Sequence, residues 1–323
     1  MRAVRSLLFG WAIAGLTLPI VGVAQPYPDR PVKVVVPYTP GGGSDVLARV
    51  LSDGLQQRLG QAFVVENRPG ASGNIGLEYA ARSAPDGYTI VLNPSSIAVT
   101  PTLLGAKFDP IRDFTPIVML GRATVVIGGH ASLPVKSLAD FIAYVRDNKD
   151  KRFYASCGMG GPDNLAMEAL KLRANIELTH VPFNGCGGMI PDVLAGRIPF
   201  YTAAFSAAAP YIQAGTLRPF VVANAKRLSF LPDTPTVIES GYPDFVFENW
   251  IGMFGPAGLP PEVVSKLNNE INQLLDRLDV REKLSTQFIE TVGGPPDVLK
   301  KALAADVPRY AQILKAVGLD KAK

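Results

Sequence analysis

The feature that most limits what this chain can fold into is a recurring local order: a short β-branched run, then clustered glycines, then a helix. Its first instance spans Pro37 to Arg49. Val32-Lys33-Val34-Val35-Val36 has the composition of a buried strand, and Pro37 stops it. Beyond the glycines, Leu47, Val50, Leu51, Leu55 and Leu59 fall on one helical face, Ser44 or Asp45 can cap the start, and Gly60 ends the run. Gly41, Gly42 and Gly43 therefore stand at a strand-to-helix junction. There a backbone without Cβ atoms can approach a ligand closely, and the helix start offers unpaired N–H groups and a positive dipole end. Such a cradle suits a carboxylate or a phosphate; taken alone, it is equally well a glycine-rich turn.

The order then repeats. Phe63-Val64-Val65 leads through Glu66 to Gly76, with Ala71, Ser72, Gly73 and Asn74 in the second glycine-rich junction, into a helix around Leu77 to Ala81. Tyr88 to Leu92 follows the turn Pro85-Asp86-Gly87 and ends at the small hydroxyls Ser95 and Ser96. In an open parallel α/β sheet, ligands sit outside the carboxyl ends of the strands, where all three loops would lie. A second α/β unit starts near Gly121. It contains a helix from Ser137 to Arg146 with Asp140 in a capping box, a strand Phe153 to Ala155 ending in Ser156 to Gly161, and a helix from Asp163 through Leu170. His180 to Phe183 ends in a glycine loop over Asn184 to Gly188. Strands over Ile198 to Thr202 and Leu217 to Ala223 flank a short helix, Ala207 to Gln213. Two long helices close the chain, one with the stripe Val263, Val264, Leu267, Ile271, Leu274, Leu275 and Leu278, the other from Pro296 to Val317.

Residues 1–24 read as a Sec-type signal peptide, with Arg2 and Arg5 before the apolar stretch Ser6 to Ile20 and small residues ahead of Gln25. The stretch is short of the roughly 20 apolar residues of a spanning helix. The mature chain is then expected to be soluble and periplasmic. Of 32 basic residues, Arg2 and Arg5 leave with the leader, so 30 face 28 acidic ones, a net charge of +2. A balance that near neutral, with no basic cluster interleaved with aromatics, argues against nucleic acid as a partner.

Taken together, Pro28 to Pro31 and the strand after them, PYTPGGGSDVLAR, ENRPGASGNIG, APDGYTI, FTPIVMLGR, the strand–loop pairs ending at Ser156 and Phe183, LPDTPTVIESGYPDF and WIGMFGPAGLPPEVVSKLN resemble, in this order, the Bug family, the periplasmic substrate-binding proteins of tripartite tricarboxylate transporters. The resemblance covers almost the whole chain. It implies an α/β, two-domain Venus-flytrap fold of the type II periplasmic binding protein class, with domain 1 discontinuous over 25–124 and 247–323 and domain 2 over 125–246. It further implies that Tyr38, Thr39, Gly42, Gly43, Ser44 and Asp45, with Ala71, Ser72, Gly73 and Asn74, surround one carboxylate of an organic acid. Ser156, Gly158, Met159, Gly160, Gly161, Phe183 and Asn184 would close from the other domain. Where the family's third loop continues with Ser and His, this chain has Gly161 and Asn164. Cys157 and Cys186, the only cysteines, lie on loops the family places side by side, so a disulfide is expected; two reduced, buried thiols are the competing reading.

An enzyme is the main rival class, and the motifs speak against it: there is no phosphate loop, nucleophile elbow or zinc-type His/Cys pattern, and the two histidines, His130 and His180, read as ordinary strand-end residues. No cofactor and no metal are expected. The function that follows is capture of a small carboxylate, aromatic or aliphatic dicarboxylate ahead of citrate-like acids, by a monomer that delivers it to membrane permease subunits. A periplasmic sensing subunit is the alternative. Tyr38, Phe183, Tyr201, Phe205 and Trp250 would line an aromatic cleft, or else pack the core.

Overall fold

The computed structural model describes residues 27–41, 43–183 and 185–320. The expected leader over 1–24 and the expected site residues Gly42 and Asn184 lie outside the described residues. The chain begins with β1 (Val32–Val36), α1 (Gly43–Leu59), β2 (Phe63–Asn67), α2 (Asn74–Ala81), β3 (Thr89–Pro94) and the short α3 (Thr100–Leu104). β1 pairs parallel with both β2 and β3. Parallel pairing points the three carboxyl ends the same way, which brings the three glycine and serine junctions to one edge of the sheet.

The long strand β4 (Phe114–His130) follows, then α4 (Leu138–Asp147), β5 (Phe153–Ser156), α5 (Pro162–Ala174), β6 (Thr179–Pro182), α6 (Cys186–Leu194), β7 (Phe200–Ala204), α7 (Phe205–Gln213) and β8 (Leu217–Val222). β5 again has parallel neighbours on both sides, β6 and β7. The chain then returns through β9 (Glu248–Pro256), α8 (Pro261–Leu275), α9 (Leu278–Ser285), β10 (Ile289–Thr291) and α10 (Pro296–Ala316). The strands run in the order β2-β1-β3-β9-β4-β7-β5-β6, with β8 and β10 also on β4. β4 serves both halves: Phe114 to Thr124 pair with β9, and from Val125 onward the partners are β7 and β8.

Burial explains why these segments form. Leu47, Leu51 and Leu55 of α1 face Leu267, Ile271 and Leu274 of α8 over the first sheet, so the C-terminal helices pack back on the N-terminal half. Each such leucine contributes about 1.5–3 kcal/mol when fully buried. Met189, Ile190 and Val193 of α6 pack with Tyr201 and Ala208 under the second sheet. The largest cluster joins both halves, Leu77, Leu103, Trp250 and Tyr310 meeting Phe141, Leu165 and Phe220. α4 starts with the expected capping box, Ser137 accepting from the Asp140 N–H and Asp140 reaching back.

Two expectations change. The stripe that reads on to Leu278 stops at Leu275: Arg277 turns extended (ψ 135) and ion-pairs with Asp279, and Leu278, 76% exposed, opens α9 instead. Residues Cys186 to Gly188, read as part of a glycine loop, form the first turn of α6, whose apolar face outweighs its glycines and Pro191.

Candidate functional site

In the first half, β1 delivers Tyr38 to the sheet edge. Its carbonyl accepts from Asn67 Nδ2 at 3.0 Å and its hydroxyl lies 2.8 Å from Ser96 Oγ. Asp45, in the first turn of α1, is buried and faces inward. It accepts from the Gly41 N–H at 2.9 Å, from Arg49 Nε and Nη2 at 3.0 Å each, and from Asn67 Nδ2 at 3.0 Å. The Arg49 guanidinium, helped by the Gly41 and Asn67 donors, holds its carboxyl down to about 2. Asp45 therefore braces the loop; Thr39 and Gly43 are exposed and Ser44 half-buried. Asn67, which ties the two loops together, was not among the expected site residues; its place at the carboxyl end of a strand was the available signal.

The second junction has an unusual backbone. Gly70, Ala71, Ser72 and Gly73 all have positive φ, at 128, 47, 55 and 94. Left-handed Ala and Ser cost of order 1–3 kcal/mol each and persist only where the surroundings demand them. Successive turned peptide units point their N–H groups to one side, a concavity that receives anions. The Gly73 N–H is taken by Gly70 O at 2.9 Å, whereas those of Ala71 and Ser72 have no partner among the described residues. Gly73 packs so near Tyr38 that a Cβ there would lie 3.4 Å from the phenol oxygen. Asn74 is buried, and its Oδ1 has no partner among the described residues. Tyr38, the 71–74 turn, Ser96 and the start of α1 thus meet at one place.

Ser95 differs from its neighbour Ser96: it is fully buried, with Oγ 3.3 Å from Asn249 Oδ1 of β9. Of the five aromatics read as cleft lining or core, three take the core place. Tyr201, Phe205 and Trp250 are all buried: Tyr201 in the core under the second sheet, Phe205 stacked on Phe230 at 4.8 Å, and Trp250 donating from Nε1 to Asp306 at 2.7 Å. Covered on both faces, β7 and β9 give the inward and outward aromatics Tyr201 and Trp250 the same sequence pattern. Tyr38 and Phe183 remain at the loops.

In the second half, Cys157 and Cys186 are bonded, with Cα atoms 4.3 Å apart, so the loop after β5 is fastened to the start of α6. The Gly185 N–H reaches Cys157 O at 2.7 Å. Ser156 is buried, its Oγ 2.9 Å from Gly158 O and 2.7 Å from His180 Nε2. Burial lowers His180 to about 4, leaving a neutral ring. Asp163, in the first turn of α5, accepts from the Cys157 N–H at 3.1 Å, and burial raises it to about 6. The Gly160 N–H donates to Asn164 Oδ1 at 2.8 Å. Gly160 has φ 74, and a Cβ on it would fall 2.1 Å from Leu103 of α3, so here the two halves touch. Met159 is 45% exposed, Gly158 and Gly161 are half-buried beside it, and Phe183 borders Gly188.

Glycine-lined loops at the strand ends of two α/β halves, in contact where Gly160 meets Leu103, suit a solute receptor, and comparison with known proteins decides which kind. The pattern described as "Tripartite tricarboxylate transporter family receptor" matches residues 47–319. The chain belongs to this receptor family. Protein BugT of Bordetella pertussis is 33% identical over 315 residues, spanning 95% of this receptor and 97% of BugT. Among solved structures, R. palustris Rpa4515 with adipate is 34% identical with a TM-score of 0.80, covering 90% of this receptor and 98% of that chain. MatC from Rhodopseudomonas palustris with bound malate is 29% identical with a TM-score of 0.76, covering 89% and 100%. The periplasmic binding protein BugD is 30% identical at 0.77, covering 91% and 99%. This receptor accordingly has the two-domain, α/β Venus-flytrap fold of periplasmic binding proteins.

Proposed function

We propose that this receptor captures a small organic dicarboxylate between its two lobes in the periplasm and hands it to a membrane permease. The observation that carries the reading is the left-handed run Gly70–Gly73 beside Tyr38 and the α1 start, which offers backbone donors and a helix dipole to one carboxylate without a cationic side chain. Neutral donors suit a receptor that must release its cargo, because a buried ion pair is costly to break. Adipate and malate, bound by two related structures, are both aliphatic dicarboxylates. With Tyr201, Phe205 and Trp250 in the core, only Tyr38 and Phe183 are left as aromatic walls, which favours the aliphatic over the aromatic class. Ser156, Gly158, Met159, Gly160 and Gly161, joined to Phe183, would meet the far end of the ligand. The lobes are taken as 25–124 with 247–323, and 125–246; in support, β4 changes partners after Thr124 and β9 begins at Glu248. Export by the Sec route, with removal of residues 1–24, and a monomeric state belong to the same proposal.

The test is a thermal-shift screen of residues 25–323 against aliphatic and aromatic mono-, di- and tricarboxylates, amino acids and sugars. Ligand at about 100 times its Kd adds roughly 2.7 kcal/mol, a rise of several degrees. Stabilisation by aliphatic dicarboxylates is expected. A response only to sugars or amino acids overturns the reading.

A further inference from the structure

Beneath the second lobe's loop runs a hydrogen-bond chain whose distances fit one consistent direction for its protons. Asn164, Glu168 and Lys171 occupy one face of α5 at i, i+4 and i+7, a polar stripe along an otherwise apolar helix. Glu168 is 4% exposed and takes Lys171 Nζ on both oxygens, at 2.9 and 2.7 Å. A carboxylate only accepts, so the Tyr154 hydroxyl beside it donates to Glu168. Tyr154 Oη in turn accepts from Asn164 Nδ2 at 2.7 Å. That orientation leaves Asn164 Oδ1 facing the Gly160 N–H, and its geometry agrees, at 2.8 Å.

The same amide nitrogen stands 3.5 Å from His180 Nδ1; with Nδ1 as the acceptor there, the ring proton lies on Nε2. In that tautomer Nε2 donates to Ser156 Oγ at 2.7 Å, consistent with Ser156 passing its own proton to Gly158 O at 2.9 Å. Tyr154 stacks on the His180 ring with centroids 4.8 Å apart, which keeps both in place. One charge, a turn further along α5 than Asn164, thus orders the donors and acceptors of two peptide units in the loop.

We propose that Glu168 is a positioning residue for ligand capture, its carboxylate setting the orientation of Gly158 and Gly160 through Tyr154, Asn164, His180 and Ser156. The claim that capture depends on it rests on the reading of that loop as one wall of a carboxylate cleft; the direction of the chain does not.

The experiment uses the mature receptor labelled with nitrogen-15 in histidine and glycine. With only two histidines, His130 and His180 are assigned with one His130→Gln variant. Nitrogen NMR is expected to show His180 protonated on Nε2. Glu168→Gln keeps the shape but adds a donor, so Tyr154 is no longer obliged to donate. Tyr154→Phe cuts the chain while preserving the stack. In both, the Nε2–H form should give way to a mixture, the Gly160 amide signal should move, and the Kd for a dicarboxylate found to bind should weaken about threefold to tenfold, as for loss of one ordinary hydrogen bond. The proposal is overturned by His180 protonated on Nδ1 in the native receptor, by an unchanged tautomer in both variants, or by an unchanged Kd where the Gly160 signal has moved. If no carboxylate binds the native receptor, the cleft reading and the capture role fall together, while the tautomer still decides the direction of the chain.

Discussion

Replacing Asp45 by Asn removes the charge that organises the first glycine loop while keeping an oxygen acceptor in its place. In the folded chain the Asp45 carboxyl is lowered from 3.8 to about 2, chiefly by Arg49. Such a depression corresponds to about 2 kcal/mol of differential interaction. The Arg49 side chain is 53% exposed, so solvent screens part of this and about 1–2 kcal/mol is the expected cost. That amounts to a fall in Tm of roughly 2–5 °C for a chain of this size. Because the folded value is depressed, the contribution is complete above the unfolded value of about 3.9 and is lost as pH falls through about 2. Urea and thermal melts of both proteins would show a constant gap from neutral pH to about pH 5, closing below about pH 4. In an Arg49→Met background the same substitution should cost less, since the main partner is already gone. Equal stability at neutral pH, or a gap that widens on acidification, would refute the assignment of Asp45 as the loop's brace.

Trp250 is the single tryptophan outside residues 1–24, next to the point where β4 changes partners, so a dicarboxylate that closes the lobes should change its emission; saturable binding by calorimetry with unaltered fluorescence would count against closure there. Gly160→Ala is expected to lower Tm and weaken binding, because a left-handed Ala costs about 1–2 kcal/mol and its methyl meets Leu103; native behaviour in both assays would dismiss the contact between the lobes. Removing the disulfide with Cys157→Ala and Cys186→Ala frees a loop with a sequence separation of 29, worth about 3–4 kcal/mol by chain entropy, read as a lower urea midpoint; a loss under about 1 kcal/mol would mean the bond constrains little.

What could be read in the sequence was local. Glycines after β-branched runs marked the strand ends correctly, Ser137 and Asp140 declared a helix start, and two cysteines in an exported chain of this family found each other. What escaped depended on partners far away in sequence. Nothing within FTPIVMLGRATVVIGGH says that Thr124 will face Glu248 while Val125 faces Ala204. Burial of Trp250 is decided by Asp306 on a helix some fifty residues later. Ser95 and Ser96 are adjacent and chemically alike, yet one is spent on Asn249 and the other meets Tyr38. The polar stripe of α5 was equally hidden: the sequence does not say that Glu168 and Lys171 will be covered by Tyr154, which comes from a different element.

The long strand β4 has a consequence for how the protein comes apart. Neither sheet can shed it without unzipping hydrogen bonds on which the other depends, and the largest apolar cluster also runs through both. The two halves cannot melt as separate bodies, and calorimetry should record one transition. A fragment carrying either half alone would present half of β4 as a bare, apolar edge, the kind of surface that recruits other chains into aggregates. A strand held in common by both halves makes the receptor's integrity all-or-none.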